Sequence, residues 1–248
     1  MKSRKILVAQ PKPINNNSPF FDLEKKRNLK FSFEPFVKLE GQTVKNIRLQ
    51  KINIQHYSAI ILTSRHAIDH YFRICDQMRI TVPNSLKYYC ISEAVSYYLQ
   101  KYIAYRKRKI YSSNNNFSEL VELMAKSKDE DKYLLVTSNY VNNNNIKLLE
   151  ESEINYSRGV FFDIKPNKLS KLNLGKYFML VFYSPRDIES LMFNFPEIAK
   201  SSIKIAVFGE ATYKMAVKHN LDIVIKAPSS EFPSLSMAID HYFKLLKS

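Results

Sequence analysis

One pattern occurs twice in this chain and limits what it can fold into: a short apolar run, a hydroxyl residue where the run stops, then a helix. AIILTSRHAIDHYF (59–72) and MLVFYSPRDIESLMF (179–193) both follow it, with Ser64 and Ser184 at the break. A second such unit follows each, YYCISEAVSYYL (88–99) around Glu93 and KIAVFGEATYKMAV (204–217) around Glu210. The spacing agrees as well, since Ser64 to Glu93 is 29 residues and Ser184 to Glu210 is 26. Short continuous apolar runs are the mark of strands buried on both faces. Strands that alternate with helices imply parallel sheets covered on both sides. A chain of 248 residues has room for two such domains, and the echo of one half in the other favours two similar α/β domains with a ligand held between them.

The remaining strands fit the same rhythm. KILVAQ (5–10), YLLVT (133–137) and DIVIKA (222–227) are further apolar runs. Ser18 with Pro19 marks a helix start running to about Asn28, and the last helix is expected over about 233–247. Asn15–Asn17, Asn114–Asn116 and Asn142–Asn145 read as loops. Two segments stand outside the rhythm: FSFEPFVKLE (31–40) alternates apolar and polar residues, and YSRGVFFDI (156–164) is a strand with no helix behind it.

In sheets of this kind ligands sit beyond the carboxyl ends of the strands. Here those ends carry Thr63-Ser64, Ser92, Thr137-Ser138, Tyr183-Ser184, Gly209 with Thr212, and Ser229-Ser230. Each opens a helix whose first amides lack internal partners and carry about half a positive charge together, so a ring of such starts suits carboxylate or phosphate. Arg65 and Arg186 add charge beside them. Taken singly these hydroxyls are ordinary helix caps; only as a set do they suit an anion.

Net charge sharpens the expectation. With 38 Lys and Arg against 23 Asp and Glu, the formal charge of +15 draws anions. Charge alone does not choose between a small anion and a nucleic acid, and a Lys-, Asn- and Ile-rich composition also follows from AT-biased coding. Arg106–Lys109 (RKRK) among Tyr102, Tyr105 and Tyr111 mixes basic and aromatic residues as single-strand binders do. No nucleic-acid motif accompanies it, so a solvated charge run is expected and a nucleic-acid partner is not.

Only four glycines are present, so neither GxGxxG nor GxxxxGK[ST] exists, and no cofactor is signalled. His66 and His70 stand four apart in HAIDH, a spacing that suits zinc, but no third ligand is evident and no metal is expected. Cys75 and Cys90 read as reduced, buried thiols. The apolar stretch near the N-terminus is too short for a secretory signal, and no run reaches the ~18 apolar residues of a membrane span. A cytoplasmic protein without a membrane partner is expected.

The blocks KILVAQPKP, AIILTSRHAIDHYFRIC, YLQKYIAYRKRKI, VFYSPRDIESLMFNFPE, IAVFGEATYKMAV and APSSEFPSLSMAI, in this order and spacing, resemble the uroporphyrinogen-III synthases, in particular those of Bacteroidetes type. The resemblance implies two flavodoxin-like parallel-sheet α/β domains joined by a two-stranded β linker. Residues 1–30 with 166–248 would form domain 1, residues 41–155 an inserted domain 2, and 31–40 and 156–165 the linker strands. It also implies a monomeric lyase that needs no cofactor. That lyase closes hydroxymethylbilane to uroporphyrinogen III, inverts ring D and releases water through azafulvene and spiro intermediates.

Matched motifs place Thr63, Ser64, Arg65, Ser92, Ser138, Ser184, Gly209 and Thr212 against substrate. Phe162 falls where many members carry a tyrosine that assists hydroxyl loss, and Val95 where some carry threonine. These departures leave a competing expectation, an impaired homologue that binds tetrapyrroles or other anionic ligands without turnover.

Overall fold

The computed structural model describes residues 3–14, 18–104 and 108–246; the Asn15–Asn17 segment and Arg106–Lys107 of the basic run lie outside them. It resolves into two units, Met1–Lys38 with Lys165–Ser248, and Leu39–Ile164.

The first unit is built on β1 (Arg4–Val8), β2 (Leu29–Phe33), β9 (Met179–Phe182), β10 (Lys204–Phe208) and β11 (Ile223–Ala227). They lie in the order β11-β10-β9-β1-β2, all parallel. The strands β3 (Val37–Gly41), β4 (Ala59–Leu62), β5 (Lys87–Cys90), β6 (Ile110–Ser112), β7 (Tyr133–Ser138) and β8 (Tyr156–Pro166) form the second sheet, in the order β3-β8-β7-β4-β5-β6. If the first unit is counted from β9, both sheets run third, second, first, fourth, fifth. They therefore share one strand order up to circular permutation, with β3 added at an edge.

Side-chain alternation puts a core on each face of each sheet. On β1, Ile6 and Val8 pack with α1 (Pro19–Arg27) and α9 (Leu235–Leu245), whereas Leu7 turns to α7 (Pro185–Asn194) and α8 (Glu210–Lys218). On β4, Ile60 and Leu62 face α3 (Arg65–Gln77) and α4 (Glu93–Leu99), and Ala59 and Ile61 face α5 (Phe117–Ala125) and α6 (Asn143–Glu151). The helix α2 (Val44–Leu49) closes the first of these cores through Ile47. Burying each such aliphatic side chain contributes about 1.5–3 kcal/mol, which is why the continuous apolar runs become central strands.

The repeat reaches further upstream than the strands. Asn53 and Asn173, 120 residues apart, each cap a single 3₁₀ turn by accepting from the amide two residues on. The turns Ile54–His56 and Leu174–Lys176 then lead into β4 and β9 through Tyr57 and Tyr177.

Two expected elements differ. Segment 31–40, expected as a single linker strand, is divided around Pro35: residues 31–33 belong to β2, paired with β1, and 37–40 to β3 beside β8. Proline lacks the ladder donor and holds the residue before it extended, so a strand cannot run through it unbroken. Segment 156–165 is more than a connector, since β8 pairs in parallel with β7 from Tyr156 to Phe162, with a register shift at Thr137/Ser138. The short β6 has no counterpart in the sequence reading, because three residues after a basic run give almost no apolar signal.

Candidate functional site

The strand-end hydroxyls are held by local hydrogen bonds. Ser64 Oγ accepts from the Ala67 amide at 3.1 Å and Ser92 Oγ from Val95 at 3.4 Å, so both serines cap their helices from extended backbone. Ser138 closes a turn instead: its Oγ accepts from the Tyr140 amide at 3.1 Å and donates to the Tyr140 carbonyl at 2.8 Å. Behind it, Arg158 on β8 donates to Thr137 Oγ1 and the Ser138 carbonyl, both at 3.1 Å.

Ser64, Thr137 and Ser138 converge where the strand order of the second sheet reverses. β4 and β7 are neighbours, and the crevice beyond their carboxyl ends is the switch point of a doubly wound sheet. A cavity of about 290 Å³ opens there, lined by Thr63, Ser64, His66, Ser138, Tyr140 and Phe162 among others. Leu39, Val141 and Ile164 give it an apolar side. Four of the sequence-derived positions, Thr63, Ser64, Ser138 and Phe162, thus share one wall. Arg65 and Ser92 do not line it; the Arg65 guanidinium lies 5.4 Å from the Tyr98 ring centroid. That ring is held by Tyr98 Oη donating to Asp69 at 2.9 Å.

Phe162 is buried and stacks on His70, with centroids 4.8 Å apart and planes at 17°. Burial, Arg73 and His66 lower the His70 pKa, and Arg73 Nε donates to its Nδ1 at 3.3 Å, so His70 is held neutral. Among the described residues no group of three histidine, cysteine or acidic side chains could hold a metal.

The first unit carries its own strand-end set. Ser184 Oγ accepts from the Asp187 amide at 3.3 Å and donates to Asp187 Oδ2 at 2.8 Å, a capping box in which the acid is buried. Burial pushes the Asp187 carboxyl up to about 6, against the opposing pull of Ser184 and nearby backbone amides. Gly209 opens α8 at φ +84° with no side-chain cap and open space where a Cβ would stand. Thr212, one turn in, is buried.

The model of the family described as uroporphyrinogen-III synthase HemD matches residues 25–236. The chain belongs to the uroporphyrinogen-III synthase family. Members are lyases of heme biosynthesis. Among solved structures, it is similar to uroporphyrinogen-III synthetase from Helicobacter pylori, with TM-score 0.59 and 14% identity over 98% of this chain and 99% of that one. A mutant uroporphyrinogen III synthase from the extremely thermophilic bacterium Thermus thermophilus gives TM-score 0.58 and 11% identity over 99% of both chains. At such identities these likenesses speak for the fold. No curated protein sequence matches significantly.

Two groups take on a meaning in the structure that the sequence pattern does not show. His66 reads in sequence as half of a zinc pair, and its place in the first turn of α3 puts it at a strand-end rim. Asp187 is legible in Ser-Pro-Arg-Asp as a capping box, but its burial is not. Cys75 and Cys90 are free and buried, their thiols pushed up to about 11 and 12 by burial. Among the described residues no helix is long and apolar enough to cross a membrane.

Proposed function

We propose that this chain cyclises hydroxymethylbilane to uroporphyrinogen III, inverting ring D and releasing water. The carrying observation is the family match over residues 25–236 together with a cavity at the switch point of the second sheet. About 290 Å³ lies at the lower edge of small-molecule pockets, roughly 300–1,000 Å³. It therefore takes one pyrrole ring with its acid side chains.

The substrate is a polycarboxylate, and a formal charge of +15 draws it in. Of the positions proposed to meet carboxylates, Thr63, Ser64, Arg65, Ser92 and Ser138 belong to the second unit and Ser184, Gly209 and Thr212 to the first. Gly209 has a distinct part, because the uncapped α8 leaves its first amides for the ligand. Phe162 supplies an apolar face for the ring. Catalysis rests mainly on holding the flexible chain in the inverting geometry, with amide dipoles stabilising charge as it develops.

Two buried, unpaired thiols suit a reducing compartment, so we place the protein in the cytoplasm, acting as a monomer on this small molecule. Hydroxymethylbilane supplied to the purified protein, with oxidised products separated by chromatography, tests the reading. Isomer III is expected. A product mixture matching the protein-free control, in which unassisted closure gives isomer I, would overturn it.

A further inference from the structure

The synthase reading requires a hydroxymethyl group to lose its oxygen, and hydroxide is a poor leaving group unless it receives a proton as the C–O bond breaks. The lining of the cavity at the β4/β7 switch point contains no carboxylate, lysine or arginine. It holds two ionisable side chains, His66 and Tyr140, and of these histidine is the type that exchanges its proton near neutrality. We propose that His66 is the catalytic acid of this enzyme, protonating the departing hydroxyl of the substrate.

Geometry separates His66 from its neighbour one turn on. His70 is committed, stacked on Phe162 and accepting from Arg73. His66 lies 6.4 Å from the Phe162 ring, centroid to centroid, is exposed at the cavity, and is held by no hydrogen bond or ion pair among the described residues. Charged groups on the neighbouring elements have partners of their own. On the same helix, Arg65 lies over Tyr98, and Asp69 accepts from Tyr98, Tyr102 and Lys101. On β8, Asp163 accepts from Gln42 and Arg158 donates to Thr137 and to the Ser138 carbonyl, and Tyr140 stands in the loop after β7.

The step balances without a further reactant. The pyrrole nitrogen lone pair pushes out the C–O bond while the imidazolium N–H proton passes to the oxygen. The products are water, an azafulvenium cation and neutral imidazole. The proton released when ring closure restores the aromatic pyrrole returns to the imidazole.

This inference rests on the synthase reading, and one experiment separates the two. Full-length wild type, His66→Ala, His66→Gln and His66→Ala/Phe162→Tyr are compared with hydroxymethylbilane, following kcat, KM, isomer ratio and pH profile, with thermal melting as a check on folding. Wild type is expected to give isomer III with activity falling on the basic side. His66→Ala and His66→Gln are expected to lower kcat at least about tenfold, to change KM little and to lose that basic limb. The double variant recovers part of the rate, because a phenol at position 162 faces the same cavity.

If wild type makes isomer III and His66→Ala keeps kcat within about twofold with the same pH profile, the proton assignment falls and the synthase reading stands. A wild type that yields only isomer I sinks both.

Discussion

The two units share a strand order and a first serine cap, and they differ at the second cap and one turn into each helix. In the second unit Ser64 and Ser92 open α3 and α4 with hydroxyls. In the first, the positions 120 and 117 residues later are Ser184 and Gly209. One turn in, Ala67 and Val95 correspond to Asp187 and Thr212. Apolar strands are under a packing constraint that any substitution disturbs, because interiors are close-packed. A cap needs only one acceptor for one amide, and several residues meet that need. Duplication of this kind therefore preserves the sheets and frees the rims to diverge.

The largest expected effect tests the shared part. Ile60 and Leu180 occupy repeat positions and are fully buried. Each replaced by Ala is expected to cost about 2–5 kcal/mol, measured by denaturant unfolding. A loss under about 1 kcal/mol at one site would show that the two sheets are not packed alike.

Asp187 against Ala67 is the sharpest contrast at the rims. Its folded pKa of about 6 lies above the ordinary 3.8, so the folded state favours the neutral acid. Its contribution to stability is complete below about pH 4 and is lost as pH rises through 6. Asp187→Asn is expected to remove that loss, about 2–3 kcal/mol relative to wild type at pH 8 and little at pH 4. Melting curves of the two proteins that stay parallel from pH 4 to 8 would refute the burial argument.

An exchange of caps should be asymmetric. Gly209→Ser forces a side chain onto φ +84°, ψ 150°, a region used almost only by glycine, at about 1–3 kcal/mol. Ser92→Gly keeps ordinary backbone and costs only a few tenths. Equal losses in thermal stability would mean that the bare start of α8 is incidental.

A modest change in stability is expected from Thr212→Val, which gives the first unit the residue of the second. Folding should shift by less than about 1 kcal/mol while turnover of hydroxymethylbilane drops several-fold. Unchanged turnover would remove the Thr212 hydroxyl from the proposed site.

The family, the α/β class and the two similar halves were all legible in the chain, because periodic apolar runs and the residues that stop them are local signals. AIILTS and MLVFYS read as buried strands with caps for that reason, and the structure makes them β4 and β9. What failed was also local in cause. Pro35 breaks a run whose alternation reads as one strand, and β6 is too short to give an apolar signal.

Tertiary structure decided which strand-end residues meet. The strand reversal between β4 and β7 brings Thr63, Ser64, Ser138 and Phe162 to one cavity and leaves Arg65 and Ser92 outside it. Burial of Asp187 and commitment of His70 likewise follow from packing. Neighbours distant in sequence set both, since desolvation and partner geometry arise only when the sheets close.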